Sequence, residues 1–179
     1  MSLTVTLIAA VSADGFISRG KGVPWDLPAD RAHFRSYTAG KWLLLGRTTY
    51  EEMRGWFRDH TPLVLSRDAG FQPPKGRRVS TAREAIDLAV ASAQPEIVVC
   101  GGAQIYAAAL PHATRLILTR VDERLASGLS FPLVNADDWH VVSTDPLEGC
   151  PACRIEHLER RDAGAGRSSA DTRFPPLRR

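Results

Sequence analysis

The chain has 179 residues, 44% hydrophobic and 24% charged, which suits one globular domain and excludes a disordered chain, a collagen-like repeat and a small disulfide-rich scaffold. No stretch approaches the roughly 18 uncharged apolar residues of a membrane span, so we expect no membrane partner. The formal net charge of +3 includes an excess of arginines over acids in residues 162–179, so the body gives no reason to expect a nucleic-acid partner.

Short apolar runs bounded by Gly, Pro or Asp predict eight strands in chain order. They cover residues 4–11, 42–45, 62–66, 78–80, 96–100, 115–121, 139–143 and 154–158. Amphipathic stretches between these runs predict four helices. The helices cover residues 28–38 and 48–57, a segment that begins at the capping-box pattern of residues 81–84, and residues 103–110.

The order of these elements predicts the fold class. Strands alternate with helices, which favours a three-layer α/β/α domain around a central, mostly parallel sheet of eight strands. The last two strands have no helix between them, so they are predicted to form an antiparallel hairpin at one edge of a mixed sheet. We expect one domain at residues 1–161 and a flexible C-terminal tail at residues 162–179, which has few bulky apolar residues to bury.

The first candidate site lies where a proline-rich loop enters the first helix. Asp30 falls in the first helical turn, and Phe34 follows one turn later on the same face. If this face looks into a cleft, the carboxylate accepts two parallel N–H bonds from a planar amino-heterocycle, while the ring packs on its flat side. The alternative is that Asp30 only stabilises the helix N-terminus and Phe34 is core, with Asp26 as a competing N-cap.

Two further segments indicate an anion site. Arg47 follows the second strand and Arg67 follows the third, so that their guanidinium groups can clamp a phosphate, although arginines after strands are also common on surfaces. The glycine pair Gly101-Gly102 allows the backbone to approach a ligand closely before the fourth helix begins. This pair matches neither the dinucleotide-binding fingerprint nor the P-loop, and a tight strand–helix turn is the alternative interpretation.

The N-terminus and the cysteines favour a reducing cytoplasm. Residues 1–4 lack the basic region of a signal peptide, and three cysteines, an odd number, do not suggest a disulfide framework. Cys150 and Cys153 have redox or half-zinc spacing, but a zinc site with four ligands needs a second pair. They are therefore predicted to be either a reversible disulfide or two loop cysteines, and no metal site is expected.

In combination, these segments resemble the dihydrofolate reductase family over nearly the whole body of the chain. The resemblance is carried by Ile8-Ala9-Ala10, the run from Pro24 to Asp30 with Phe34, Gly46-Arg47-Thr48-Thr49, Leu65-Ser66-Arg67, Cys100-Gly101-Gly102 with Ile105-Tyr106, Leu118-Thr119, Ser130-Phe131-Pro132 and Leu158 to Arg161. The pairing of Trp-x-Leu-Pro-x-Asp with a downstream Gly-Gly-x-x-x-Tyr is the specific part of this pattern.

The resemblance implies a cytoplasmic oxidoreductase with a dihydrofolate reductase-like fold. Such an enzyme transfers a hydride from NADPH to 7,8-dihydrofolate and forms tetrahydrofolate for one-carbon metabolism. It implies a small-molecule dihydropterin as the partner and a monomer or weak homodimer as the assembly. The segment at residues 18–25 is similar to the family's mobile loop that closes over the nicotinamide.

Roles follow from the resemblance position by position. Catalysis is assigned to Asp30, Thr119 and Trp25. Substrate contacts are assigned to Ile8, Asp30, Arg31, Phe34, Met53, Phe57, Cys100, Tyr106 and Thr119. Cofactor contacts are assigned to Ala10, Ile17, Gly46, Arg47, Thr48, Thr49, Leu65, Ser66, Arg67, Gly101, Gly102, Ala103, Gln104 and Ile105.

The chain departs from the family pattern in four places. His60 stands where the family usually carries an arginine for the folate carboxylate, and Arg31 stands beside Asp30 at a usually apolar or aromatic position. Val23 replaces a larger loop residue, and Gly128-Leu129 replaces the usual Asp-Thr. Two alternatives therefore stay open. One is a sibling reductase that acts on another dihydropterin or on a riboflavin-pathway aminopyrimidinone, and the other is a nucleotide-binding module without catalysis.

Overall fold

The computed structural model describes residues 2–161, and the predicted tail at residues 162–179 lies outside them. The strands in the described range are β1 (Thr4–Ser12), β2 (Phe16–Ser18), β3 (Trp42–Gly46), β4 (Thr61–Leu65), β5 (Arg77–Val79), β6 (Glu96–Gly101), β7 (Arg115–Val121), β8 (Leu129–Ser130), β9 (Trp139–Pro146) and β10 (Cys153–Arg160). The α-helices are α1 (Pro28–Thr38), α2 (Arg47–Glu52), α3 (Ala82–Ala91) and α4 (Ala103–Ala109), and 3-10 turns cover Leu110–His112 and Ala136–Asp138. In this part of the chain no helix has the length and apolar character needed to cross a membrane.

Eight of these strands form one sheet in the spatial order β5-β4-β3-β6-β1-β7-β10-β9. The pairings from β5 to β7 are parallel; for example, Thr6 of β1 lies opposite Val98 of β6. Strand β10 runs antiparallel to β7 on one side and to β9 on the other. The predicted mixed, mostly parallel sheet with an antiparallel hairpin at its edge is confirmed.

Helices cover both faces of the sheet, because successive side chains of a strand point to opposite sides. Leu7 belongs to the core that includes α3 and α4, whereas its neighbour Ile8 belongs to the core that includes residues of α1 and α2. The side chains of Leu43, Leu44 and Leu45 are fully buried. This burial on two faces is why the central strands read as continuous apolar runs in the sequence.

The capping box predicted for the third helix starts α3. The Thr81 hydroxyl oxygen accepts a hydrogen bond from the backbone N–H of Glu84, with an N–O distance of 3.0 Å. The Glu84 carboxylate in turn accepts from the backbone N–H and the hydroxyl of Ser80, at 2.8 and 2.5 Å. These bonds from Ser80 lower the pKa of Glu84, so the carboxylate stays ionised and holds the first turn in place.

Several segments differ from the pattern-based expectation. The last two strands, predicted at residues 139–143 and 154–158, are longer and cover Trp139–Pro146 and Cys153–Arg160. The helix predicted at residues 48–57 ends already at Glu52, and Gly55 with a φ of +84° then turns the chain. The helix predicted at residues 103–110 ends at Ala109 and continues as the 3-10 turn Leu110–His112. Strands β2 and β8 form a separate two-stranded sheet, whose short runs carry no readable period.

The β2–β8 pair depends on Gly128, and we expect Gly128→Ala to disrupt it. Gly128 has a φ of +139°, and a Cβ there would lie 2.1 Å from the backbone oxygen of Ser18. The substitution should lower the free energy of unfolding by at least about 2 kcal/mol and raise amide exchange in β2. Gly20→Ala is the matched control, because Gly20 has a φ of +123° but open space around it. Equal losses in the two variants would mean that backbone strain alone, without the clash, accounts for the effect.

The turn after β1 is held by Asp14. Its carboxylate accepts hydrogen bonds from the Ser12 hydroxyl at 2.6 Å and from the backbone N–H groups of Leu125 and Ala126 at 3.1 and 2.9 Å. Burial raises the pKa of Asp14, but these hydrogen bonds outweigh it and lower the pKa to about 2. The turn is therefore tied to the segment before β8 by a carboxylate that stays ionised.

We expect Asp14→Asn to cost about 1 kcal/mol of unfolding free energy at pH 7. Because the folded-state pKa lies below the ordinary aspartate value of 3.8, this contribution is complete above about pH 4 and is lost as the pH falls through about 2. Urea unfolding at several pH values measures the difference between the two proteins. Asp138→Asn, at an exposed position, is the control. A difference that stays constant down to pH 2 would contradict the assignment.

Candidate active site

A cleft with a volume of about 1140 Å³ opens at the carboxyl ends of the parallel strands. Ile8 to Ala10 of β1, Gly46 after β3, Leu65 and Ser66 at β4, and Cys100 of β6 all contribute to its wall. The carboxyl ends of parallel strands meet at one edge of a sheet, where loops and helix starts can surround a ligand. The cleft is therefore a feature of the topology itself.

Asp30 lies in the first turn of α1 and on the wall of this cleft, where it is half-buried. Within residues 2–161, no donor forms a hydrogen bond or an ion pair with its carboxylate. Leu27 occupies the N-cap position of α1, so the hypothesis that Asp26 caps this helix is wrong. Asp30 is thus a carboxylate with free acceptor positions that faces a cavity large enough for a ligand.

Aromatic side chains line the cleft next to Asp30. Phe34 lies one helical turn after Asp30, and its ring centroid is 5.1 Å from that of Trp56 on the opposite segment. Both rings contribute to the cleft wall, together with Met53. A flat heterocycle bound at Asp30 can therefore pack against an apolar surface.

Of the glycine pair, Gly102 lines the cleft and Gly101 lies beneath the wall. Gly101 has a φ of +106°, and a Cβ there would come within 3.1 Å of the Tyr106 ring. The Tyr106 hydroxyl donates a hydrogen bond of 2.7 Å to the backbone oxygen of Ile8. Burial raises the pKa of Tyr106 and the nearby Asp30 carboxylate adds to this, so the phenol remains a donor. The backbone at Gly102 is open to a ligand.

The far end of the cleft carries the second predicted constellation. Arg47 forms ion pairs with Glu51 at 2.9 Å and Asp68 at 3.0 Å, and its guanidinium lies 4.5 Å from the Phe71 ring centroid. Arg67 is exposed and forms no ion pair within the described residues. The structure brings these two cations to the same cleft together with Thr48, Thr49 and Ser66.

A glycine-containing loop before α1 covers part of the opening. Gly20, Gly22 and Val23 line the cleft from this side. The backbone N–H of Gly22 donates a hydrogen bond of 3.1 Å to the Glu52 carboxylate at the end of α2. The loop therefore reaches across to the opposite wall.

Comparison with known proteins agrees with this geometry. The family model described as dihydrofolate reductase matches residues 4–157. The chain belongs to the dihydrofolate reductase family. It is 34% identical over 148 residues to dihydrofolate reductase type A13 of Escherichia coli, covering 83% of this chain and 89% of that protein. It is 34% identical over 169 residues to the dihydrofolate reductase of Neisseria meningitidis serogroup A, covering 94% and 95%. The Mycobacterium tuberculosis dihydrofolate reductase is 40% identical over 121 residues, covering 66% and 71%.

Most residues assigned through the dihydrofolate reductase pattern lie on the cleft wall, but four do not. Thr119 is buried beside Ala10 in the β1–β7 register, on the same face as Ile117. Trp25 packs behind the wall, Phe57 stacks on Tyr50 with ring centroids 5.1 Å apart, and Gly101 is covered by the Tyr106 ring. The remaining assigned residues are Ile8, Ala10, Ile17, Asp30, Arg31, Phe34, Gly46, Arg47, Thr48, Thr49, Met53, Leu65, Ser66, Arg67, Cys100, Gly102, Ala103, Gln104, Ile105 and Tyr106.

Sequence reasoning did not assign a role to several other lining residues. They are Ala9, Ser18, Gly20, Gly22, Val23, Glu52, Arg54, Gly55, Trp56, Asp68 and Leu129. Four of these fall in the segment at residues 18–25, and its similarity to the family's mobile loop was the one indication that they could lie at the cleft. Arg54, Gly55 and Trp56 follow the early end of α2, and no motif in the sequence marks that turn.

His60 is buried beneath the cleft wall rather than on it. Its ring stacks on Trp56 with centroids 4.9 Å apart, and its Nε2 lies 3.3 Å from the Thr38 hydroxyl oxygen. Burial lowers the pKa of His60, which favours the neutral imidazole. This side chain therefore offers no permanent positive charge to the cleft of this family member.

The structure joins Cys150 and Cys153 in a disulfide. Of the two predicted states, it therefore has the disulfide and not two free loop cysteines. Both cysteines are buried and pack with Val121, and the segment entering α1 packs against them through Trp25 and Leu27. The bridge spans a single hairpin turn, so it is a local link rather than a framework. Within residues 2–161, no cluster of His, Cys, Asp or Glu side chains is arranged to hold a metal ion.

Proposed function

We propose that this protein reduces 7,8-dihydrofolate to tetrahydrofolate with NADPH as the hydride donor. The observation that carries the proposal is Asp30, a carboxylate with no donor partner among the described residues, on the wall of a cleft that also contains Gly102, Arg47 and Arg67. Membership in the dihydrofolate reductase family supports the same reaction. A small molecule is the expected partner.

The half of the cleft around Asp30 suits the pterin ring. The Asp30 carboxylate accepts two parallel N–H bonds from a ring N–H and the 2-amino group. The backbone oxygens of Ile8 and Cys100 line the other edge of the ring, and Phe34 packs against its face. We assign Thr119 as a hydroxyl partner of the acid and Trp25 as part of the catalytic surroundings, although neither is exposed on the wall.

The other half of the cleft suits the cofactor. Gly102 to Ile105, at the start of α4, and Ala10 and Ile17, on the cleft wall, would hold the nicotinamide part of NADPH. Arg47, Arg67 and the hydroxyls of residues 48, 49 and 66 would hold its phosphates, with the guanidinium groups favouring a 2′-phosphate. When bound, NADPH supplies the hydride.

The chain's own contribution is alignment and charge. A negative Asp30 stabilises the cationic form of the substrate, in which the imine nitrogen is protonated and the adjacent carbon accepts the hydride. The proton arrives through water, because Asp30 is held by the pterin ring edge. The loop at residues 18–25 excludes solvent while the two ligands are in contact.

NADPH oxidation followed by absorbance tests the proposal. We expect turnover with dihydrofolate at an ordinary enzymatic rate, and the same rate in a chain shortened to residues 1–161, which we propose to be the complete catalytic domain. Tight NADPH binding without turnover at high dihydrofolate concentration would overturn it.

A second candidate is a sibling reductase for another dihydropterin or for an aminopyrimidinone. The observation that favours it is the burial of His60, which leaves the usual tail-binding position without a cation. A panel of dihydropterins and ribityl-aminopyrimidines, assayed by NADPH oxidation, separates the two. Higher kcat/KM for a panel member than for dihydrofolate would favour this second candidate.

A further inference from the structure

The cleft continues past Asp30 to a rim that carries two arginines. Arg31 lies next to Asp30 in α1, and Arg54 lies on the opposite segment after α2; both line the cleft. The ring pair Phe34 and Trp56 lies in the same part of the wall. If the proposed function holds, the substrate's aminobenzoyl group passes these rings, and its two tail carboxylates reach this rim.

Two other basic side chains near this rim, His60 and Arg35, do not line the cleft. His60 is 7% exposed and stacked under Trp56. Arg35 lies with its guanidinium 5.7 Å from the Trp56 ring centroid and does not line the cleft. Among the described residues at this end, Arg31 and Arg54 are therefore the cations that a ligand in the cleft can reach.

Arg31 already holds a carboxylate. Its Nη1 lies 2.5 Å from an Oδ1 of Asp26, and the side chains are 56% and 85% exposed. An ion pair this exposed adds very little to stability, so another carboxylate can displace Asp26 at low cost. Asp26 directly follows the loop at residues 18–25, so the ion pair lies beside the part of the chain that covers the cleft.

We propose that Arg31 is the residue that recognises the substrate's anionic tail, and that Asp26 occupies it in the free enzyme. Binding then exchanges the Asp26 carboxylate for a tail carboxylate on the same guanidinium. Arg31 and Asp26 act in opposite directions on affinity: the arginine attracts the tail, and the aspartate competes with it. The inference rests on the proposed function, because it concerns the tail of that substrate.

The test compares KM for dihydrofolate with KM for 6-methyl-7,8-dihydropterin, which has the ring but no tail. In Arg31→Leu, the ratio of the first KM to the second should rise about tenfold, as for a lost hydrogen bond to a charged group. In Asp26→Asn, the ratio should fall by roughly threefold, because the competitor is gone. Arg83→Leu removes a similar exposed ion pair, to Asp87 on α3, and should leave the ratio unchanged.

The outcomes separate this inference from the function on which it rests. If the wild-type protein reduces neither substrate, the proposed function fails. If it reduces both but Arg31→Leu leaves the KM ratio unchanged, the role of Arg31 is refuted. If the KM ratio moves in the same direction in Arg31→Leu and Asp26→Asn, the two residues form a structural ion pair and the proposal is overturned. A tenfold rise of the KM ratio in Arg54→Leu alone would assign the tail to the opposite wall and would also overturn it.

Discussion

Asp30→Asn is expected to lower kcat/KM for dihydrofolate by about 10³-fold while leaving the fold nearly as stable as before. Asparagine keeps the size of the side chain but removes the negative charge that stabilises the protonated substrate, and it replaces one acceptor by a donor. The carboxylate has no donor partner within residues 2–161, so its loss breaks no bond there. The remaining cost is the interaction with the start of α1, about 0.3–1 kcal/mol.

The control for this prediction is an acid in the first turn of another helix. Glu84→Gln weakens the contacts with Ser80 at the start of α3 and is expected to cost about 1 kcal/mol without changing kcat/KM. Thermal unfolding and steady-state kinetics are measured on both variants. We expect Asp30→Asn to lose mainly activity and Glu84→Gln to lose only stability. A parallel loss of activity and stability in Asp30→Asn would instead make Asp30 an ordinary helix-start acid.

The second large effect concerns the choice between NADPH and NADH. We expect Arg67→Leu to raise KM for NADPH by about 10- to 100-fold, because it removes charged hydrogen bonds to the 2′-phosphate. KM for NADH should change much less, since NADH lacks that phosphate. Arg67 is chosen over Arg47 because the guanidinium of Arg47 already forms ion pairs with Glu51 and Asp68, so that its substitution would also remove those contacts.

Two measurements complete this prediction. Arg83→Leu serves again as the control for a general loss of positive charge. Dissociation constants for the two cofactors, measured by protein fluorescence quenching, separate binding from turnover. Equal weakening of NADH and NADPH would place Arg67 at the shared diphosphate instead of the 2′-phosphate.

The sequence was sufficient for the sheet and for the parts of the cleft that adjoin regular elements. Strands buried on both faces, such as β3 with Leu43 to Leu45, can be recognised in the sequence as continuous apolar runs. Asp30 and Phe34 share a helix face, and Gly102 begins a helix, so local spacing was enough to single them out. The family resemblance extended the same assignment to positions such as Ala10 and Ile17.

The sequence was insufficient to predict the place of a side chain when that place depends on residues distant in the chain. Trp56 reaches the cleft because α2 ends at Glu52 and the following turn brings the indole against Phe34. The burial of His60 is set by Trp56 and Thr38, which lie on different elements. The two- and three-residue strands β8 and β2 are too short for any periodicity, and only their pairing defines them.

The disulfide hairpin also has a mechanical consequence. Residues 25–29 rest on the buried pair Cys150 and Cys153, and a Cβ at Gly149 would lie 3.6 Å from that of Ala29. The beginning of α1 is thus clamped to the sheet, whereas Gly20 and Gly22, just upstream, have open space around them. Asp30 therefore follows directly on a segment that is fixed to the sheet, so the position of its carboxylate is set by the disulfide turn and does not depend on the glycine-containing loop that precedes it in the chain.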